Sequence, residues 1–247
     1  MTVETPQEPT ERQRGVFISF EGMDGVGKST QVGRLVDWFK SQGKRVLLVR
    51  EPGGTPLCEN IRDLIKTRDP GESMSNETEA LLINASRAQL VRKVILPALE
   101  DGVHVVSDRF YDSTIAYQAF GRGMALDPIR ELIQFATGGL RPDITFYLHL
   151  DKNLRKSRLQ ARDGESGLDR FESAGEAFFD RIEAGFQWIC QEESDRVHKI
   201  SAEGSQEEVF ERTLQKVLDL INIASFSNSE KSSVDKISGP SSLPNSN

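Results

Sequence analysis

The sequence has few cysteines, no long apolar run and no excess of basic residues. Cys58 and Cys190 are too few for a disulfide framework and suit a reducing compartment. No stretch approaches the roughly 20 apolar residues that a membrane-spanning helix needs. Acidic residues outnumber basic ones by 38 to 31, which argues against general nucleic-acid binding. These absences predict a cytoplasmic protein that binds neither a membrane nor nucleic acid.

Both ends of the chain are polar and rich in turn-forming residues. Residues 1–14 combine proline with charged side chains, and residues 224–247 are dominated by Ser, Asn and Pro. Such segments bury too little apolar surface to offset the entropy lost on ordering. We therefore expect disordered tails at 1–14 and 224–247, and one folded domain over 15–223.

Within that domain, short apolar runs alternate with helical patterns. Strands are predicted over 16–20, 46–50, 103–107, 144–150 and 197–201. Helices are predicted over 28–41, 56–68, 77–99, 111–120, 127–136, 152–161, 174–194 and 206–222, and Pro97 should bend or end the third. Most of the strands are apolar on both faces, as in a covered parallel sheet. The pattern predicts an α/β fold with ligands beyond the carboxyl ends of the strands.

A phosphate-binding motif follows the first strand. Gly22, Gly27, Lys28 and Ser29 fit the pattern G-x-x-x-x-G-K-[ST], between a strand and a helix. In such a loop backbone N–H groups face phosphate oxygens, the lysine reaches the β- and γ-phosphates, and the serine binds Mg²⁺. The candidate ATP-binding residues are Gly22, Met23, Asp24, Gly25, Val26, Gly27, Lys28, Ser29 and Thr30.

Carboxylates end two further strands. Asp108, in VVSDRF, stands where a second acid could hold Mg²⁺ through water, or could simply cap the next helix. Asp151 ends another strand with no motif beside it, and we interpret it as a helix cap. The candidate metal ligands are Ser29 and Asp108.

Three classes of phosphate-loop protein remain to be separated. A GTPase would carry an Asn-Lys-x-Asp motif, which is absent, and a motor ATPase usually has a longer chain. A small-molecule kinase needs a second anion site and a closing segment that carries arginine. REPGGTP at 50–56 and the arginine-rich stretch 154–173 could supply both, although a charged stretch is often only a solvated helix.

Together these motifs resemble the thymidylate kinase family in its bacterial form. The elements occur in family order from about Val16 to about Ile223: FEGMDGVGKST, VREPGGTP, ETEALLINASRAQLV, SDRFYDSTIAYQ, RPDITFYLHLD and GLDRFE. The resemblance implies a P-loop kinase with a five-stranded parallel sheet, flanking helices and a short arginine-rich lid at about 154–173. It implies Mg²⁺-dependent transfer of a phosphoryl group from ATP to dTMP, giving ADP and dTDP, and a homodimer.

The resemblance also implies roles for single residues. Asp24 would bind the sugar 3′-hydroxyl, Arg109 would grip the acceptor phosphate, and Arg87 would donate to the thymine carbonyl O4. Substrate-binding residues would be Asp24, Glu51, Arg87, Arg109, Thr114, Tyr117 and Gln118. Catalytic residues would be Lys28, Arg109, Arg158 and Arg162, with Arg170 as a further lid arginine.

Two positions distinguish this chain within the family. Gly25 replaces the loop arginine of one subgroup, so the transfer arginine should come from the lid. Ile83 stands where many members stack phenylalanine on thymine.

Adenine is expected near residues 201–205. A kinase for another acceptor and a nucleotide-binding regulator without turnover remain as alternatives.

Overall fold

The computed structural model describes residues 14–67, 72–163 and 175–234, and the side chains of these residues except 162–163 and 222–234. The predicted tail 1–14 lies almost wholly outside this part of the chain. In the described residues, no helix has the length and apolar character to cross a membrane.

A five-stranded parallel sheet forms the centre of the described structure, as the apolar runs predicted. The strand order is β2-β3-β1-β4-β5. The strands are β1 Phe17–Glu21, β2 Val46–Arg50, β3 His104–Asp108, β4 Ile144–His149 and β5 Val197–Ser201. Each begins and ends within about a residue of its predicted bounds, and the α/β prediction is confirmed.

Helices cover both faces of this sheet. The helices are α1 Lys28–Ser41, α2 Pro56–Lys66, α3 Asn76–Leu90, α4 Leu96–Glu100, α5 Tyr111–Thr114, α6 Leu126–Thr137, α7 Lys152–Asp163, α8 Glu176–Glu192 and α9 Gln206–Val234. On one face Phe39 of α1 stacks on His104, and on the other Phe186 of α8 stacks on Tyr147, with ring centroids 4.7 and 4.8 Å apart. Alternate strand residues point to opposite faces, so both faces of the apolar strands are buried.

Two helices change to π-helical geometry. Val91–Ile95 links α3 to α4, and Ile115–Gly121 extends α5. The helix does not end at Pro97, as one reading of the proline predicted. Instead the wider turn directly precedes the proline, and the Leu96 N–H reaches back to the Val91 carbonyl oxygen. Pro97 has no N–H to donate, and its ring is too close to the preceding turn, so the regular i→i−4 hydrogen bonds of an α-helix are disturbed at this point.

The last helix is longer than the sequence indicated. It runs to Val234, whereas a disordered tail was predicted from residue 224. No proline or glycine occurs between Gln206 and Val234, so nothing in the backbone ends the helix at 223. Residues 235–247 lie outside the described part, and the domain boundary remains a prediction.

The sheet order places the site. β1 lies between β3 and β4, and β3 lies beside β2, so the carboxyl ends of β1, β2 and β3 meet along one edge. The phosphate loop, Glu51 and Arg109 follow these three ends. Residues far apart in sequence therefore converge there.

Candidate active site

The phosphate loop connects β1 to α1, and its glycines permit the required backbone. Gly22, Gly25 and Gly27 have φ angles of 135°, 84° and 97°, which other residues rarely adopt. A Cβ at Gly22 would lie 2.5 Å from the Leu148 carbonyl oxygen. A larger residue at Gly22 would therefore strain the loop and displace β4.

Lys28 is held in place by the same loop. Its Nζ donates to the Met23 carbonyl oxygen at 3.0 Å and lies 3.6 Å from an Asp24 carboxylate oxygen. Burial, with repulsion from Arg109, lowers the pKa of Lys28 to about 8. A buried ammonium with incomplete compensation is a strong site for a phosphate oxygen.

Ser29 and Asp108 lie close enough to share a ligand. The Ser29 hydroxyl donates to an Asp108 carboxylate oxygen at 2.7 Å. Mg²⁺ prefers oxygen ligands and usually keeps several waters while binding one or two protein groups and substrate phosphates. This hydroxyl–carboxylate pair beside the phosphate loop fits that pattern. Among the described residues, no group of three or more His, Cys, Asp or Glu side chains is placed to hold a metal ion.

Arg109 occupies a tight turn immediately after β3. Its φ of 76° is unusual for a non-glycine residue. The guanidinium donates to Asp24 at 2.7 Å and to the Ser113 hydroxyl at 3.0 Å, and it lies 5.3 Å from the Tyr117 ring centroid. The turn aims a planar cation across the phosphate loop, at the position where an acceptor phosphate would meet a donor.

Glu21 supports this turn from below, and the sequence motifs did not single it out. Its two carboxylate oxygens accept the Phe110 N–H at 2.7 Å and the Ser113 hydroxyl at 2.5 Å. Burial, and then the neighbouring Asp112, raise the pKa of Glu21 to about 8. A charged residue at the end of the wholly buried strand FISFE was the signal that could have revealed it.

A cavity of about 260 Å³, here called the base cavity, opens beside Arg109. Its walls include all seven predicted substrate residues: Asp24, Glu51, Arg87, Arg109, Thr114, Tyr117 and Gln118. Ile83, the position that departs from the family pattern, also lines it. The structure therefore gathers the predicted substrate residues around one cavity.

The Arg87 side chain is buried in the wall of the base cavity, and its donors bind other groups of the protein. It donates to Glu51 at 2.8 Å, to Asn84 at 2.8 Å, to Thr114 at 2.9 Å and to the Phe110 carbonyl oxygen at 3.2 Å. A second nitrogen lies 2.7 Å from the same Glu51 oxygen. These contacts engage the five donors of a guanidinium. Arg87 must therefore release or share one of them to contact a base carbonyl.

Glu51 is the counterion of Arg87 and remains only partly satisfied. Burial raises the pKa of Glu51, against the lowering effect of Arg87. Its Oε1 is buried and accepts no hydrogen bond from the described residues. Glu51 also lines a second cavity, which lies over the phosphate loop. Its Oε1 can therefore accept a hydrogen bond from a ligand bound there.

A second cavity of about 620 Å³, the phosphate cavity, lies over the loop. Asp24, Glu51, Arg62 and Arg109 line both it and the base cavity. Arg62 of α2 was not singled out from the sequence. It is half-buried, and burial together with nearby Arg50 lowers its pKa. The sequence does contain a signal for Arg62. It is a charged residue between Cys58 and Ile65, two buried positions of an amphipathic helix.

A third cavity of about 400 Å³, the outer cavity, lies between the loop and the residues after β5. Gly204 and Ser205, within the predicted adenine region, line it together with Gln31 and Val209. The Arg158 guanidinium donates to the Ala202 carbonyl oxygen at 3.2 Å and borders both the outer and the phosphate cavities.

The predicted lid is described only in part. A Cβ at Gly25 would lie 2.8 Å from the Leu159 side chain, so α7 packs directly on the phosphate loop. Arg162 belongs to α7, but its side chain lies outside the described ones, as do all of Arg170 and residues 164–174. The structure therefore brings Arg158 to the site and does not place Arg162 or Arg170.

Comparison with known proteins decides the family. The model described as Thymidylate kinase matches residues 20–213. A thymidylate kinase of Chlorobaculum parvum is 44% identical over 205 residues, covering 81% of this chain and 94% of the relative. Those of Acinetobacter baumannii strain AYE and Acinetobacter baylyi are each 43% identical, covering 81% and 83% of this chain and 98% and 100% of the relatives. The chain belongs to the thymidylate kinase family.

Family membership confirms the resemblance, while the roles of single residues remain predictions. The structure brings most of the predicted site residues to the joined base and phosphate cavities. Met23 and Val26 differ, because their side chains are buried in the core and only their backbone can face a phosphate.

Proposed function

We propose that this protein transfers the γ-phosphoryl group of ATP to the phosphate of dTMP, giving ADP and dTDP. One observation carries the proposal above all. The phosphate cavity and the base cavity share a wall of acids and arginines, with Arg109 at their junction. A donor on the loop and an acceptor in the base cavity would present their phosphates to each other across that wall.

The reaction needs little covalent chemistry from the protein. An oxygen of the dTMP phosphate attacks the γ-phosphorus, the bond from that phosphorus to the β–γ bridging oxygen breaks, and ADP leaves with that electron pair. Catalysis then consists of alignment and charge stabilisation. Lys28 would hold the β- and γ-phosphates, Arg109 the acceptor phosphate, and Arg158 and Arg162 are the proposed lid arginines.

The base cavity suits a pyrimidine with a donor at N3. Gln118 is 1% exposed, and its Nε2 donates to buried Glu79 at 2.8 Å. Its Oε1 accepts no hydrogen bond within the described part of the chain and can accept the N3–H of thymine. Arg87 would serve carbonyl O4 after sharing its bond with Thr114. Tyr117 would lie against the sugar, and Asp24 would accept the 3′-hydroxyl.

We also propose that Mg²⁺ is bound by Ser29 directly and by Asp108 through water. The metal supplies charge neutralisation for the donor phosphates. The cytoplasm is the proposed compartment, because it is where ATP and nucleoside monophosphates meet in a bacterium.

The protein is proposed to act as a homodimer through α2, α3 and α6. Helix α3 contacts both α2 and α6, and the three helices carry exposed apolar side chains, namely Leu57, Leu64, Leu81 and Phe135. Large exposed apolar surfaces of this kind mark interfaces. Analytical ultracentrifugation should give twice the 27.6 kDa chain mass, and Phe135→Glu should shift it to the monomer. A monomeric wild type would refute the dimer.

Product identification tests the reaction. Purified protein with ATP, Mg²⁺ and dTMP should produce ADP and dTDP in equal amounts, as followed by ³¹P NMR. Chelation of the metal by excess EDTA should stop the reaction. ATP hydrolysis without dTDP, or binding of nucleotide without any product, would contradict the proposal.

A further inference from the structure

Glu79 of α3 is a buried carboxylate outside the phosphate-binding machinery. It has no exposed surface and does not line the base cavity. It accepts hydrogen bonds from Gln118 Nε2 at 2.8 Å and from Arg122 Nε and Nη2 at 3.2 and 3.0 Å. A buried charge of this kind is costly unless it is paired, and here the pairing converges on a base-facing residue.

The contact fixes which end of the Gln118 amide faces the base cavity. The two orientations of an amide have the same shape but exchange a donor for an acceptor. An ionised carboxylate only accepts, so Glu79 selects the orientation that gives it the NH₂ group. The opposite orientation would place two acceptor oxygens against each other in a buried site. The Gln118 carbonyl oxygen is therefore held on the cavity side.

Arg122 keeps this arrangement rigid. Its guanidinium contacts Glu79 through two nitrogens and lies 4.6 Å from the Phe178 ring centroid. Its backbone N–H donates to the Tyr117 carbonyl oxygen at 2.9 Å, at the end of the π-helical turn that carries Gln118. The cation that holds Glu79 is thus fixed to the same backbone segment as the amide that Glu79 orients.

We propose that Glu79, held by Arg122, is a positioning residue that makes the base cavity selective for N3–H. The inference rests on the proposed function, in which Gln118 contacts the acceptor base. Thymine carries a hydrogen on N3, which the fixed carbonyl oxygen accepts. Cytosine carries a lone pair on N3, which the same oxygen repels. The selectivity therefore depends on a side chain that does not reach the ligand.

Calorimetric titration of dTMP and dCMP into Glu79→Gln tests this positioning. A glutamine at 79 can accept or donate, so the Gln118 amide is free to turn. We expect the dTMP-to-dCMP affinity ratio to fall by about tenfold, roughly the worth of one hydrogen bond in a buried site. The matched control is Glu77→Gln, an exposed position on the same helix, which should leave the ratio unchanged.

A variant that lacks the Gln118 amide distinguishes the positioning of that amide from a general loosening of the base cavity. In Gln118→Ala the ratio should already be low, and adding Glu79→Gln should change it no further. The double variant Glu79→Met, Arg122→Met serves if Glu79→Gln fails to fold, because it removes the charge pair together and leaves no lone buried charge. It should show the same loss of selectivity.

Two results would overturn the positioning role. One is an unchanged dTMP-to-dCMP ratio in folded Glu79→Gln or in the double methionine variant. The other is an equal fall in the ratio with and without Gln118. Neither depends on turnover, so they differ from a failure of the proposed function, which would be seen as absent dTDP formation by the wild type.

Discussion

The phosphate end and the base end of the site are built in different ways. At the phosphate end, glycine backbone and a few charges come from one contiguous loop and the adjacent strand ends, and Lys28 lacks full compensation. At the base end, buried polar side chains from α3, α5 and the residue after β2 bind one another, as Arg87 does with Glu51, Asn84 and Thr114. The phosphate end thus has an incompletely compensated cation that a phosphate can pair, whereas at the base end the buried cation Arg87 already has protein partners for its donors.

This difference predicts how each end responds to mutation. Removing a buried charge that lacks full compensation, such as that of Lys28, should lower activity without lowering the stability of the fold, because the fold does not depend on that charge. Removing one member of a satisfied buried network should cost stability, because it leaves another group unpaired.

The largest expected effect is at Lys28. In Lys28→Ala the donor phosphates lose their buried cation, and kcat should fall by about a thousandfold or more. Thermal unfolding should stay near that of the wild type. Lys40→Ala, on the exposed last turn of the same helix, is the control. Full activity in Lys28→Ala would refute the loop assignment, and a large loss of Tm would remove the contrast between the two ends.

At the base end, Arg87→Met should mainly affect stability. It leaves the buried Glu51 carboxylate without its cation, a change that typically costs about 3–5 kcal/mol. Urea unfolding measures the loss. Arg45→Met, which breaks an exposed pair with Asp101, should cost far less. Equal losses for both variants would mean that the base end is not the tightly paired network described above.

Glu21→Gln should produce an intermediate effect at the phosphate end. The NH₂ group of an amide cannot accept a hydrogen bond, so either the Phe110 N–H or the Ser113 hydroxyl loses its acceptor and the Arg109 turn loosens. We expect kcat/KM for dTMP to fall by about ten- to thirtyfold, with a smaller change in KM for ATP. Steady-state kinetics with each substrate varied give both values. An equal fall for both substrates would contradict a local action on Arg109.

The smallest effect is a pH dependence. The pKa of Lys28 is lowered to about 8, so its amine is charged below that pH and neutral above it. kcat/KM for ATP should therefore decline as pH rises past about 8, since this constant reports the free enzyme. kcat should hold to higher pH, because bound phosphate favours the ammonium. The same decline should occur in Glu21→Gln, in which residue 21 cannot titrate. If the decline is absent from that variant, the titrating group is Glu21 and not Lys28.

The same contrast explains what could be predicted from the sequence. The sheet, most helix bounds and the phosphate loop depend on local patterns, namely apolar runs and closely spaced glycines, and these were predicted well. Glu21 and Glu79 act through contacts with residues 39 to 92 positions away, and Arg62 lines cavities formed by several elements, so no local motif reveals them. The family resemblance correctly directed attention to Arg87, but only the structure shows that its donors are already engaged.

The acceptor panel is the most direct test of the account. Initial rates should be measured with ATP, Mg²⁺ and dTMP, dUMP, dCMP, AMP, CMP or GMP as the phosphate acceptor. The account predicts rapid formation of dTDP, use of dUMP because uracil also carries N3–H, and little product from dCMP, CMP, AMP and GMP, which lack a pyrimidine N3–H. Comparable rates with all acceptors, or preference for a cytosine or purine nucleotide, would contradict it.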